Sequence, residues 1–127
     1  MAMTLRFEIF PDDLDETVAF YTQVLGFEIT ADRRHERSPY VSLRRDEVRV
    51  GALQQRGPWQ RDHRRPPLGV ELVLEVDDLQ GELERVRASG WPVEEDLEER
   101  PWGLSDFRIL DPSGYYLRIT DRRPRDP

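Results

Sequence analysis

Apolar and polar residues follow the same order in the two halves of the chain. Each half begins with an alternating stretch, Leu5–Ile9 or Val70–Val76, which predicts a strand with one apolar face. An Asp-Asp-Leu triplet follows each stretch, at Asp12–Leu14 and Asp77–Leu79. From the Leu of each triplet, residues then recur at intervals of four, three and four, which indicates one stripe of an amphipathic helix. The residues are Leu14, Val18, Tyr21 and Leu25 in the first half, and Leu79, Leu83, Val86 and Gly90 in the second. We therefore predict a strand–helix unit that is repeated 65 residues later.

The residues that flank each helix are those that helix termini favour. Asp13 and Asp78 can each accept a hydrogen bond from a free backbone N–H group, and Glu16 fits a capping box in the first helix. Gly26 and Gly90 stand where a left-handed residue ends many helices. These residues predict where both helices begin and end.

Three more short strands are expected after each helix, since short segments with apolar residues are separated by turn residues. Turns at Arg45–Glu47 and Asp111–Gly114 join the last two strands of each half. The repeated unit is therefore βαβββ, and the predicted fold class is α+β. The six strands are predicted at Phe27–Thr30, Tyr40–Arg44, Val48–Leu53, Val93–Glu95, Phe107–Leu110 and Tyr115–Thr120.

Length and composition indicate one domain and exclude several kinds of chemistry. The chain has 127 residues, which we interpret as module one at about 4–54, a linker at about 55–68, module two at about 69–120 and a frayed tail at 121–127. Its net charge is −7, and acids and arginines are interspersed, so we expect no nucleic-acid partner. With no Lys and no Cys, Schiff-base and thiolate chemistry are excluded. No apolar run is long enough for a membrane span, and we expect a cytoplasmic protein.

The order of these features resembles the vicinal oxygen chelate superfamily, which includes glyoxalase I, extradiol dioxygenases, fosfomycin-resistance thiol transferases and bleomycin-resistance binding proteins. The resemblance rests on the two modules, on Asp13–Ile29 (D-L-x-x-[ST]-x-x-F-Y-x-x-x-L-G-F) and on the ending Asp111–Gly114. Arg100–Gly103 followed by Phe107 looks most like the bleomycin-resistance proteins, whose role is antibiotic resistance. The resemblance implies a curved eight-stranded mixed sheet with helices outside and a ligand cup inside, in a homodimer.

Most enzymes of the superfamily hold a divalent metal with His, Gln or Glu from the first and last strands of each module. Alternation places those positions here on Arg6, on Gly51 or Leu53, on Glu71 and on Arg118. Only Glu71 can bind a cation, because a guanidinium group has no lone pair to offer and repels a divalent ion. We interpret His35 and His63 as surface residues. The sequence thus predicts no metal and no cofactor.

Without a metal, Arg6, Glu71 and Arg118 would form a charged group in the cup. In one interpretation Glu71 pairs with both arginines in a structural network, because buried charges are normally paired. In the other, at least one guanidinium group stays free to bind a carboxylate or another planar anion. The two interpretations are compatible, and the sequence leaves both open.

Aromatic side chains supply the second component of the predicted ligand site. Trp102, Tyr40 and Tyr116 are candidates for an apolar wall, as is Trp59 in the linker. Glu8 and Arg108 complete the candidate ligand-binding residues. The inferred cup has Arg6, Arg49, Arg108 and Arg118 against Glu8, Glu71 and Glu75, so an anionic or zwitterionic aromatic molecule fits about as well as a cationic drug.

Three hypotheses follow for function. The first is a metal-free protein of the superfamily that binds, and sequesters, an aromatic drug or metabolite. The second is a metal-dependent lyase or dioxygenase of the same superfamily, and the third is a dimeric protein-interaction module with a closed cup. We assign no catalytic residue, since Ser42, Ser105 and Ser113 lack a plausible His partner, and whether the protein is an enzyme stays open.

Overall fold

A computed structural model describes residues 1–55 and 69–122 of the chain. The chain divides into two compact units, Met1–Arg61 and Asp62–Pro127. Each unit contains one helical segment and one four-stranded mixed sheet, in the order βαβββ. The predicted α+β fold class and the repeated module are therefore confirmed. No helix in the described ranges combines the length and the apolar character that crossing a bilayer requires.

Module one contains four strands: β1 at Arg6–Ile9, β2 at Glu28–Arg33, β3 at Tyr40–Arg45 and β4 at Val48–Leu53. Their order in the sheet is β1-β4-β3-β2. β1 runs parallel to β4, and the other neighbours are antiparallel. The tight turn between β3 and β4 places Asp46 at a φ of 51°, a left-handed conformation that Asp tolerates better than most residues.

Helix α1, at Leu14–Ala19, begins as the sequence predicts, with the Asp13 side chain accepting from the Glu16 backbone N–H at 3.1 Å. A second contact at this end was not predicted. The side chain of Gln54 accepts from the Leu14 backbone N–H at 2.9 Å and donates to the Asp12 carbonyl at 2.7 Å. Gln54, which the sequence assigned to the end of module one, thus joins the last strand to the start of the helix.

The first helix changes its geometry where the sequence predicts a regular continuation. After Ala19 the chain forms a π-helical segment at Phe20–Val24, and the Leu25 backbone N–H donates to the Phe20 carbonyl, five residues earlier. The wider turn leaves Phe20 and Tyr21 both buried, with their rings edge to face at 5.0 Å between centroids. Packing of adjacent aromatic side chains therefore accompanies a departure from the 3.6-residue period.

Module two repeats the topology with the sheet order β5-β8-β7-β6. Asp78 caps helix α2 by accepting from the Gly81 backbone N–H at 3.0 Å, and Leu79, Leu83 and Val86 form its buried stripe, as predicted. Its elements are β5 at Leu72–Val76, α2 at Leu79–Ala88, β6 at Glu95–Glu99, β7 at Ser105–Leu110 and β8 at Tyr116–Asp121.

The predicted strand at Val93–Glu95 was wrong in its bounds. β6 spans Glu95–Glu99, a stretch with only one apolar residue. This stretch becomes a strand because it pairs with β7, whose arginine at position 108 lies directly opposite Glu95. Pairing with β7, including the opposite charge of Arg108, is not visible in the local sequence and has overridden the low strand propensity of the acids.

Each sheet has a face of buried apolar residues, which we call the core face, and an opposite face rich in charge, which we call the polar face. Side chains alternate between these faces along each strand, as the sequence predicts. The core faces carry Ile9, Val41, Leu43, Val50 and Ala52 in module one, and Phe107, Ile109, Leu117 and Ile119 in module two. The polar faces carry Arg6, Glu8, Tyr40, Ser42 and Gly51 in module one, and Glu71, Asp106, Arg108, Tyr116 and Arg118 in module two.

Candidate functional site

Three of the predicted ligand-binding residues come together on the polar face of module one. Arg6 and Glu8 are two residues apart on β1, and the Arg6 Nε lies 3.0 Å from the Glu8 Oε1. Tyr40 at the start of β3 reaches across β4 and donates its hydroxyl to the same Glu8 oxygen at 3.0 Å. Glu8 is therefore the acceptor that joins the outer strand β1 to β3.

Gly51 makes the contact between Glu8 and Tyr40 possible. In the sheet Gly51 lies between its partners Glu8 on β1 and Ser42 on β3. A Cβ atom at position 51 would lie 2.0 Å from the Glu8 Oε2 and 2.1 Å from the Tyr40 hydroxyl oxygen. The bare backbone leaves the space in which these two side chains meet.

The environment of Tyr40 favours its neutral phenol. Burial raises the pKa of Tyr40 above its ordinary value, and the hydrogen bond to the Glu8 carboxylate raises this pKa further. The phenol therefore acts as a hydrogen-bond donor near neutral pH.

The polar face of module two is organised around Asp106, which is fully buried. The Asp106 Oδ1 accepts from the Arg100 Nε at 2.9 Å and lies 3.4 Å from the Arg108 Nε. Its other oxygen, Oδ2, lies 3.4 Å from the Arg118 Nε. One carboxylate thus faces three guanidinium groups, and we call Arg100, Arg108, Arg118, Asp106 and Glu71 the arginine cluster.

Two further side chains fix Arg118. Its Nη1 donates to the Glu71 Oε1 at 2.6 Å, and its guanidinium carbon lies 5.5 Å from the centre of the Trp102 ring. The second distance is that of a cation–π contact. Glu71, Trp102 and Arg118, all predicted from the sequence, therefore form one continuous group of contacts.

Arg108 is held by Tyr116 and Glu95. Its Nη1 donates to the Tyr116 hydroxyl at 3.0 Å, and that hydroxyl donates in turn to the Glu95 carboxylate. Burial raises the pKa of Tyr116, and the bond to Glu95 adds to the effect, while Arg108 opposes it. Burial by itself would lower the pKa of Arg108, but hydrogen bonds to Tyr116 and Asp106 outweigh it and raise that pKa above its ordinary value. Arg108 is a permanent cation here.

The hairpin between β6 and β7 carries both Arg100 and Trp102. Its turn is closed by the Arg100 backbone N–H donating to the Leu104 carbonyl at 2.8 Å, and the Gly103 N–H donates to the Arg100 carbonyl at 3.0 Å. Gly103 has a φ of 90°, where a residue with a Cβ is strained. The turn leaves Trp102 56% exposed, so a large part of its indole ring is open to a ligand.

Sequence reasoning missed Asp106, Arg100 and Glu95 as site residues. The signal for Asp106 was present, since it lies two positions before Arg108 and alternation puts both on one face. The predicted strand began at Phe107, one residue too late to include it. Arg100 and Glu95 are placed by the β6–β7 pairing, which the sequence did not predict correctly.

Two residues from the sequence analysis lie outside the described residues: Trp59, a predicted ligand-binding residue, and His63. His35 is exposed, as expected for a surface residue.

The residues at the family's metal positions do not fit a divalent ion. Arg6 and Arg118 present guanidinium groups that are ion-paired to Glu8 and Glu71, and Gly51 has no side chain. Within the described ranges, no three His, Asp or Glu side chains converge as a metal ion requires. The donor set instead suits organic groups that bind by charge, hydrogen bonding and aromatic contact.

Comparison with known proteins agrees with the fold. The family model of the Glyoxalase/Bleomycin resistance protein/Dioxygenase superfamily matches residues 4–119, and this chain belongs to that superfamily. No curated protein sequence matches the chain.

Solved structures share the fold over almost the full length of the chain. UcmS2 is similar with a TM-score of 0.77 at 24% identity, covering 96% of this chain and 99% of its own. A bleomycin-binding protein complexed with bleomycin has a TM-score of 0.77 at 20% identity, covering 96% and 100%. A lactoylglutathione lyase from Agrobacterium tumefaciens has a TM-score of 0.69 at 20% identity, covering 94% of each chain. At these identities the likeness establishes the fold.

Proposed function

We propose that this protein is a metal-independent small-molecule-binding member of its superfamily, which sequesters an aromatic drug or metabolite. The observation that carries the proposal is the chemistry of the family's metal positions. Arg6 and Arg118 occupy two of them, each in an ion pair, and another falls on Gly51 or Leu53, neither of which has a lone-pair donor in its side chain. A protein that used these positions for a metal would need lone-pair donors there.

The surroundings of these positions supply what an organic ligand needs. Trp102 is more than half exposed beside Arg118, and Tyr116 and Tyr40 offer phenols on the two polar faces. Aromatic walls with a few placed polar groups are typical of small-molecule sites. Bleomycin bound to a structural relative supports the same class of function.

The expected dimer belongs to this proposal. The superfamily resemblance implies a homodimer, and light scattering coupled to size-exclusion chromatography measures it directly. A mass near twice 15.0 kDa supports the dimer, and a mass near 15.0 kDa contradicts it. The cytoplasmic location expected from the sequence, and a role in antibiotic resistance, stay predictions.

The proposal is tested by metal analysis followed by a ligand screen on the same protein. Protein purified without chelator should contain no stoichiometric metal, and Mg²⁺, Mn²⁺, Fe²⁺, Ni²⁺ and Zn²⁺ should leave its melting temperature unchanged. An aromatic ligand should raise the melting temperature, because a ligand present at a hundred times its Kd stabilises the native state by about 2.7 kcal/mol.

Each outcome separates the hypotheses. Stoichiometric metal that stabilises the protein would contradict metal independence and favour a lyase or dioxygenase. A screen of aromatic drugs and metabolites without any stabilising compound would contradict the binding function and favour the protein-interaction module. Trp102→Ala tests the site: it should abolish ligand stabilisation, while the free protein should lose little stability, because more than half of this side chain is exposed and its main contact is the one with Arg118.

A further inference from the structure

The arginine cluster places two positive charges directly opposite each other on neighbouring strands. Arg108 on β7 and Arg118 on β8 are direct cross-strand partners on the polar face. Like charges directly opposite one another destabilise a sheet unless another group compensates them. Asp106, 3.4 Å from the Nε of each, supplies part of that compensation.

The compensation is incomplete among the buried groups. The side chains of Arg100, Arg108 and Arg118 are 13%, 16% and 18% exposed, while those of Asp106 and Glu71 are 0% and 28% exposed. The least exposed part of the cluster therefore has three guanidinium groups against two carboxylates. The other acids in contact with it, Glu95 and Glu98, are 44% and 66% exposed, so solvent screens them more strongly.

One terminal nitrogen of each central guanidinium group, Nη2, is not used in a hydrogen bond to the described residues. Arg118 directs its Nε at Asp106 and its Nη1 at Glu71, and Arg108 directs its Nε at Asp106 and its Nη1 at Tyr116. The Nη2 groups of both arginines make no hydrogen bond to the described residues. Two adjacent, oriented donors with a local excess of positive charge match the two oxygens of a carboxylate.

We propose that module two binds the carboxylate of an aromatic acid at the Nη2 groups of Arg108 and Arg118, with the aromatic ring packed against the exposed part of Trp102. Asp106 acts as a positioning residue, since its carboxylate oxygens lie 3.4 Å from the Nε of each of these two arginines. This inference rests on the small-molecule binding proposed above and specifies its ligand as anionic. A cationic drug is the class that the cluster disfavours, because it would approach two guanidinium groups on neighbouring strands.

The experiment uses three probes of the same shape and different charge: 2-naphthoate, 2-naphthamide and 2-naphthylmethylammonium. Isothermal titration calorimetry should give the tightest binding for the carboxylate. The amide should bind about ten- to a hundredfold more weakly, because hydrogen bonds between charged partners are stronger than neutral ones. The ammonium probe should bind the weakest of the three.

Variants of the full chain locate the preference. Arg118→Gln and Arg108→Gln should each weaken naphthoate binding toward that of the amide and leave amide binding nearly unchanged. Trp102→Ala should weaken both probes by a similar factor. Arg85→Gln, which removes the same charge from the exposed surface of α2, should alter neither. Arg118→Lys keeps the charge without the planar fork and should recover only part of the loss, and it serves as the test if Arg118→Gln does not fold.

The two proposals can fail separately. Equal affinities for naphthoate and naphthamide would overturn the carboxylate site and leave aromatic binding standing. Tighter binding of the ammonium probe, or no binding of any of the three probes, would also overturn the carboxylate site. In the last case the drug and metabolite screen described above decides independently whether the protein binds small molecules.

Discussion

The polar faces of the two modules have the same register between their first and last strands, but they differ in the side chain at one corresponding position of the last strand. In module one the last strand places Gly51 beside Glu8 of the first strand, and in module two it places Arg118 beside Val73. Gly51 leaves a space that Glu8 fills, whereas Arg118 extends over the sheet and needs acids around it. Gly51 and Arg118 occupy corresponding positions in the two modules. Because one has no side chain and the other has a long cationic one, the neighbouring strands must supply different partners in each module.

The comparison also explains why the two faces differ in burial. Arg6 and Glu8 are 54% and 34% exposed, so solvent screens their ion pair and its contribution is small. Asp106 is fully buried, and the free energy of removing it from water must be recovered from its arginines. We therefore expect the stability of module two to depend strongly on its buried charges, and that of module one to depend more on side-chain packing around Gly51.

The largest expected effect is that of Asp106→Asn. Removing this charge leaves three arginines facing one another, and breaking a buried ionic group by deleting one partner typically costs about 3–5 kcal/mol. Urea unfolding monitored by circular dichroism should show this loss. Asp96→Asn is the control, because Asp96 is 73% exposed and its ion pair with Arg87 lies at the surface. A change below about 1 kcal/mol for Asp106→Asn would contradict the central role of Asp106.

The next largest effect should come from Gly51→Ala in module one. The added Cβ would overlap Glu8 and Tyr40, and overpacking of this kind costs about 1–3 kcal/mol. The cost should shrink when the same change is made in a Glu8→Ala background, which removes the nearest clashing atoms. A double-mutant cycle with no coupling between positions 51 and 8 would show that Gly51 does not make room for Glu8.

The two helix starts should respond differently to loss of their caps. Asp78→Ala removes a side-chain cap of α2 and should cost about 1 kcal/mol. Asp13→Ala should cost less, since the Gln54 side chain also satisfies a backbone N–H at the start of α1. Denaturation of both variants and of Gln54→Ala measures the difference. An equal loss for the two Asp variants would contradict the supporting role of Gln54.

The smallest effect concerns pH. The pKa values of Tyr40 and Tyr116 are raised in the folded protein, so above the ordinary tyrosine pKa of 10.0 the unfolded chain loses these protons first. Their contribution to stability is complete below that pH and falls as the pH rises toward the folded-state values. Tyr116→Phe should reduce the slope of unfolding free energy against pH above 10.0. An unchanged slope in this variant would contradict a proton held more tightly in the native state.

Most of the fold could be predicted because local patterns carry it. The helix caps at Asp13 and Asp78, the buried stripe of α2 and the bounds of β4 agree with the sequence analysis. The π-helical segment at Phe20–Val24 was not predictable from periodicity, because a spacing of four, three and four fits a regular α-helix; in the structure the segment accompanies the packing of the adjacent Phe20 and Tyr21 rings. β6 was misplaced because its acidic stretch becomes a strand by pairing with β7, where Arg108 lies opposite Glu95.

The sequence predicted several residues of the candidate site, but it did not predict which of them contact one another. Alternation put Glu71, Arg118 and Arg108 on one face of module two, and all three lie there. The sequence did not identify Asp106 as the carboxylate that these arginines share, because the predicted strand omitted it. The candidate site residues remain predictions for ligand binding, to be tested with the probes and variants described above.

The sequence by itself determined the repeated βαβββ module and the alternation of faces, since each follows from the order of side-chain types along the chain. The tertiary structure decided which charges pair. Asp106 and Arg118 are twelve residues apart in sequence and on separate strands, and only the pairing of β7 with β8 brings their charged atoms to 3.4 Å. The strength of such interactions depends on distance and burial, which exist only once the chain has folded.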